Sequence, residues 1–221
     1  MADSIPLRRI GIAVAALGFA VLVVVLGVLI PPRPSGISTD RLGPERGEPV
    51  ADYLVRARDS LSGSDASEHW ALVSFTEPLT PDQIPAHSGG LRIAAASHHV
   101  SIPRVHTPIV TVQLPAGNAV AIASADNAAW QLLAQHPTDD RTNRVTTVSV
   151  ARLRAGCACT VGLVVRGRLS ELRNLAAQNG VRAVQALPAD AVATSFAIVP
   201  LLPEYQDIAL PGPDDGAVPD Q

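Results

Sequence analysis

From Ile10 to Ile30 the chain carries no charged or strongly polar side chain, and this stretch constrains everything that follows it. As a helix rising about 1.5 Å per residue it would span roughly 31 Å, which matches a bilayer hydrocarbon core of about 30 Å. In lipid, a lone segment has to satisfy its own backbone hydrogen bonds, and a helix does so. The run exceeds the ~7–15 apolar residues of a cleavable signal peptide. Its exit, Leu29-Ile30-Pro31-Pro32-Arg33-Pro34, also lacks a cleavage site of small residues. It reads as an uncleaved single-pass transmembrane helix.

Flanking charge sets the orientation. Arg8, Arg9 and the terminal amine sit against one end of the run, and Arg33 alone sits close to the other. That bias favours a cytoplasmic N-terminus. The expected organisation is a short cytoplasmic tail (1–9), a transmembrane helix (10–30), a Pro/Gly-rich linker (31–47), an extracytoplasmic α+β domain (48–205) and a disordered, Pro/Gly-rich tail (206–221). Residues 1–9 are too few to fold, which argues against a receptor with a cytoplasmic effector domain. Without Arg8, Arg9 and Asp3, the 17 basic and 20 acidic residues leave a net charge of about −4. A dispersed acidic surface argues against nucleic acid as a partner.

Periodicity places the elements of the domain. Val50, Tyr53, Leu54, Ala57 and Leu61 form one helical stripe, with Pro49 suited to the first turn. WALVSF (70–75) reads as a strand. Thr80-Pro81-Asp82-Gln83 carries a capping-box pattern for a short helix ending at Gly89-Gly90, and Leu91 to Ala96 continues as a strand. IVTVQL (109–114) alternates as a strand should. Asn118 to Gln135 is alanine-rich and turns helical before Trp130, with Ala119 to Ser124 open to a strand instead, while Arg144 to Arg154 reads as extended. TVGLVV (160–165) is a strand, Leu169 to Asn179 a helix, Gly180 its terminator and Val181 to Leu187 the returning strand. Ala191 to Val199 is a candidate further strand.

Two units of strand, turn, helix, glycine and strand therefore recur, over 70–96 and 159–187. Such a repeat gives a ferredoxin-like, split β-α-β arrangement: a mostly antiparallel sheet with helices on one face. Here the second half is delayed by an insertion of roughly 50 residues. The segment VVRGRLSELRNLAAQNGVRAVQALPAD (164–190) resembles subtilisin-propeptide-like inhibitor domains, which implies the fold and not inhibition.

The chain contains no lysine and is rich in Ala, Val, Leu and Pro, a pattern of GC-rich genomes. With its N-terminal apolar run, its WALVSF and GCACTVGLVVRG strands and GVRAVQALP, it resembles a family of uncharacterised single-pass actinobacterial cell-envelope proteins. That resemblance implies a location, the plasma membrane with the domain in the cell-wall space. It implies no activity.

Cys157 and Cys159, a C-x-C pair beside Gly156, are the sharpest chemical signal. Outside the cytosol disulfides persist. Residues two apart on an extended strand have Cα atoms about 6.5–7 Å apart, at the edge of the ~6.8 Å that a bridge tolerates. An internal disulfide, buried thiols, an intermolecular bridge and a redox or soft-metal site all remain open. His98, His99 and His106 fall between two strands and form a weaker, zinc-like alternative. No tight helical spacing accompanies them, and an exposed polar loop explains them better. No nucleophile elbow, P-loop or dinucleotide fingerprint occurs. Glu77, Asp82 and Glu171 fit turns and helix starts, so no catalytic base is nominated and no cofactor is expected. The reading is a non-enzymatic, membrane-tethered interaction module with an envelope protein as partner. Its rival is a thiol, disulfide or metal protein acting through Cys157 and Cys159.

Overall fold

WALVSF has no polar alternation because the strand containing it is covered on both faces. In the computed structural model, which describes residues 40–193 and 195–220, it extends to Glu68–Leu79 (β2). Ala71 to Phe75 are all buried there. After β1 (Arg41–Leu42) and α1 (Val50–Asp59), β2 enters a five-stranded sheet. The other members are β3 (Arg92–His99), β4 (Ile109–Gln113), β5 (Thr160–Arg168) and β6 (Val181–Ala186). Their order is β4-β3-β5-β2-β6, and every neighbouring pair is antiparallel. The connection from β2 to β3 passes over β5, and that from β5 to β6 passes over β2. The two halves therefore interlock, leaving β4 and β6 as the sheet edges.

The Ile10–Ile30 run lies outside the described residues. Among the described residues, no helix is long and apolar enough to cross a membrane.

Both expected units are present, with different fillings. In the second, α5 (Leu169–Ala176) buries Leu169, Leu172 and Leu175. In the first, two 3-10 turns, Pro81–Gln83 and Pro85–Ser88, replace the expected helix. Pro85 has no N–H to donate four residues back, so an α-ladder cannot form across it. The Thr80 N–H still donates to Gln83 Oε1 at 3.0 Å, and Gly89 and Gly90 turn the chain at φ +63° and +78°.

The insertion holds β4, α2 (Asn118–Ile122), α3 (Ser124–Leu133) and α4 (Asp140–Arg154). The expected extended segment 144–154 is in fact helix. Its β-branched residues favour strands locally, yet Val145, Val148, Ser149 and Leu153 fall on one buried helical stripe. Asp139 also caps its N-terminus by accepting from the Thr142 N–H at 2.8 Å. Burial of a helical face outweighs local propensity here.

One face of the sheet packs Ala71, Val73, Phe75, Leu163, Val165 and Val184 against α3, α4 and α5. On the other face, Leu72, Ala95 and Val164 meet Leu42, and α1 lays Val50, Tyr53 and Ala57 over Ala183 and Leu201. Residues 40–47, expected as linker, thus begin the folded unit. β1 pairs in parallel with β7 (Ala197–Ile198), which among the described residues is what forms of the candidate strand 191–199.

The tail differs most from expectation. Ala209 exchanges backbone hydrogen bonds with Gly47 and Glu48 at 2.9 Å each. Further on, Asp214 pairs with Arg141 at 2.8 Å and Asp215 with Arg104. The Gly216 N–H donates to the Arg104 carbonyl at 2.7 Å, and a Cβ there would stand 2.5 Å from the Pro103 carbonyl oxygen. Residues 206–220 form a strap laid over the β3–β4 loop instead of a disordered tail.

Candidate interaction groove

Because β3 runs on to His99, its last two residues project to opposite faces. His98 enters the interior and is 1 % exposed. Its ring is satisfied on both sides. Ser124 Oγ donates its proton to the Ala121 carbonyl at 2.6 Å, so it accepts from His98 Nε2 at 3.0 Å. Nδ1 then accepts from Thr160 Oγ1 at 3.1 Å. This is a neutral imidazole, and burial pushes its pKa down to about 4.

His99 faces the strap. Thr107 Oγ1 donates to the Val100 carbonyl at 2.7 Å and so can only accept from His99 Nδ1, at 3.2 Å. His99 Nε2 lies 2.9 Å from Glu204 Oε1. Both ring nitrogens are thus engaged, Nδ1 by the Thr107 hydroxyl and Nε2 by the Glu204 carboxylate. Burial opposes ionisation of Glu204. The His99 hydrogen bond and the charges of His99 and Arg182 outweigh it and hold the carboxyl below its ordinary range. Hydroxyl, imidazole and carboxylate thus stand in a row across the mouth of the groove. The Thr107 hydroxyl is turned toward the Val100 carbonyl.

Around this pair the β3–β4 loop and the strap enclose a groove of about 720 Å³. Ile102, Val105 and Leu202 lie in its lining, together with Ile109, Ile208 and Leu210. These last three remain 37 %, 53 % and 46 % exposed. Ile109 is the first residue of edge strand β4 and the cross-strand neighbour of His99. The groove thus opens beside a sheet edge with β3 on one side only.

The three candidate zinc histidines are not brought together. His98 is on the far face. His99 and His106 line the groove, but each spends its Nε2, His99 on Glu204 and His106 on the Gly212 carbonyl at 2.6 Å. Among the described residues no three metal-donor side chains converge. His98 and His99 belong to a strand and are buried, where the sequence reading favoured an exposed loop.

Cys157 and Cys159 form an intramolecular disulfide with Cα atoms 5.3 Å apart. The pair precedes β5 instead of opening it. Gly156, at φ +73°, turns the chain out of α4, so the strand spacing does not apply. Cys159 is buried in the main core, and its carbonyl accepts from the His99 N–H at 2.8 Å. Neither cysteine lines the groove.

The sequence reading missed Thr107, Ile109, Glu204, Ile208 and Leu210. One signal was available: Ile208, Ala209 and Leu210 are apolar in an otherwise polar, Pro/Gly-rich tail. No protein-family model, curated protein or solved structure matches this chain.

Proposed function

We propose that this chain is a non-enzymatic, membrane-tethered interaction module of the cell envelope, with its N-terminus cytoplasmic and its domain outside. In this reading Ile10–Ile30 is the anchor, and the domain is ferredoxin-like, its split β-α-β core extended by β4. The interlocked strand order of the two units favours that fold. The partner is an extended segment of another envelope protein, lying in the groove along β4.

The observation that carries the reading is the clustering of Ile109, Ile208 and Leu210, all exposed, beside a free sheet edge. Apolar side chains grouped around one groove give a partner's side chains a surface to pack on. A strand edge adds main-chain hydrogen bonds to whatever the side-chain pockets select.

The test is crosslinking and capture of the full-length protein in membranes. Ile109→Asp with Ile208→Asp should lower specific capture at least tenfold while leaving the melting temperature within a few degrees. Cys157→Ser with Cys159→Ser should leave capture intact. Loss of capture in the folded cysteine variant alone would replace this reading with the thiol–disulfide one.

A further inference from the structure

A second cleft lies at the opposite edge of the sheet, and its chemistry differs. It occupies about 480 Å³ where α1, on one face, and α5, on the other, project past β6. Its apolar lining includes Leu54, Ala57, Ala176 and Val184. Three arginines, Arg58, Arg173 and Arg182, line it as well, and no carboxylate does.

Two of the three arginines are held without being neutralised. Arg173 Nη1 donates to the carbonyls of Leu61 and Gly63 at 2.8 and 3.0 Å. Arg182 donates to the carbonyls of Leu202, Pro203 and Tyr205. Arg58 is exposed at the end of α1. Among the described residues none of the three is in an ion pair, and Glu204, whose charge reaches Arg182, is bound to His99.

The Ala186 N–H points away from β2, donating to Ser60 Oγ at 2.8 Å. By the alternation of an antiparallel ladder, the Val184 N–H faces the same free edge. Carbonyl-anchored guanidinium groups are pre-organised and keep their remaining N–H donors for an oxyanion. The space suits a small ligand.

We propose that this cleft binds an anionic amphiphile, a phosphate or carboxylate head on a short alkyl or acyl body, with the head among Arg58, Arg173 and Arg182 and the body along Leu54, Ala57 and Ala176. The cleft shares no lining residue with the groove at β4, and its test is separate.

The experiment is calorimetric titration of the full-length protein in peptidiscs with hexyl phosphate, hexanoate, inorganic phosphate and 1-hexanol. Saturable binding of hexyl phosphate or hexanoate, at least tenfold tighter than both inorganic phosphate and 1-hexanol, supports the proposal, and the ratio of the two assigns the head group. Arg58→Glu, at an exposed residue with no structural hydrogen bond to lose, should weaken that binding at least tenfold with an unchanged melting temperature. Ala177→Glu, at an exposed lining residue just past the end of α5, should do the same. Equal binding of 1-hexanol would reduce the cleft to an apolar hollow and overturn the proposal. So would the absence of saturation, or undiminished binding by both variants.

Discussion

His98 and His99 are neighbours in the chain and opposites in the structure. His98 is sealed under α3, neutral, its ring fixed between two hydroxyls. His99 sits beside the strap, its ring fixed between a hydroxyl and a carboxylate. The strand's period of two separates them. One ties the insertion to the sheet, and the other ties Glu204, just ahead of the strap, to the sheet and shapes one wall of the groove. Adjacent identical residues therefore do different work, and each role is written in where the neighbouring hydroxyl has already sent its proton.

The largest effect should come from the buried member. His98→Ala leaves a cavity and strips partners from Ser124 and Thr160, and should destabilise the fold by about 3 kcal/mol. His99→Ala, at the rim of the groove, should cost about 1 kcal/mol. Denaturant unfolding of the two variants measures the contrast directly. Similar losses would mean the two faces are not distinct.

Acid should separate the pair next. The folded pKa of His98 is depressed to about 4 from 6.5, so its contribution is complete above about pH 6.5. It declines as the unfolded chain takes up the proton, and is gone near pH 4. The loss has an upper limit of about 3 kcal/mol. Glu204 is depressed below 4.5, so its contribution is held above that value and lost only as pH falls through its lower folded pKa. The stability curve should therefore fall first with the signature of His98, and His98→Leu should flatten it between pH 6.5 and 4. A curve that keeps its slope in that variant would reject the assignment.

The smallest effect concerns the strap. A double-mutant cycle of His99→Ala and Glu204→Gln should give a coupling of about 1 kcal/mol. The Glu204 side chain is 41 % exposed, which screens the pair. Hydrogen exchange at the Ala209 amide should quicken in the same variants, and no change there would detach the pair from the strap.

The sequence made the sheet legible and left the surface obscure, for physical reasons. The units around WALVSF and TVGLVVRG announce themselves through apolar runs and terminating glycines, so their strands and α5 could be placed from local pattern. α4 could not. Its Val and Thr residues imitate a strand, and the evidence against that, the Asp139 cap and the buried stripe, depends on what α4 packs against. The strap was hidden for the same reason. Pro and Gly argue for disorder locally, whereas the partners of Asp214 and Asp215 lie some 70 to 110 positions back, at Arg141 and Arg104. The histidines were misplaced because β3 is three residues longer than its apolar core, and in a strand that decides which face each side chain meets.

The account rests on the strap side of the sheet being the face that meets a partner. The most direct measurement places a photo-crosslinking residue in turn at positions 208, 109 and 55 of the full-length protein in native membranes. Val55 is 50 % exposed on α1, close in exposure to Ile208, and serves as the control. The account predicts one specific adduct from positions 208 and 109, none from 55, and its disappearance when the neighbouring Leu210 is changed to Asp. Equal adducts from all three positions, or adducts from 55 alone, would contradict it.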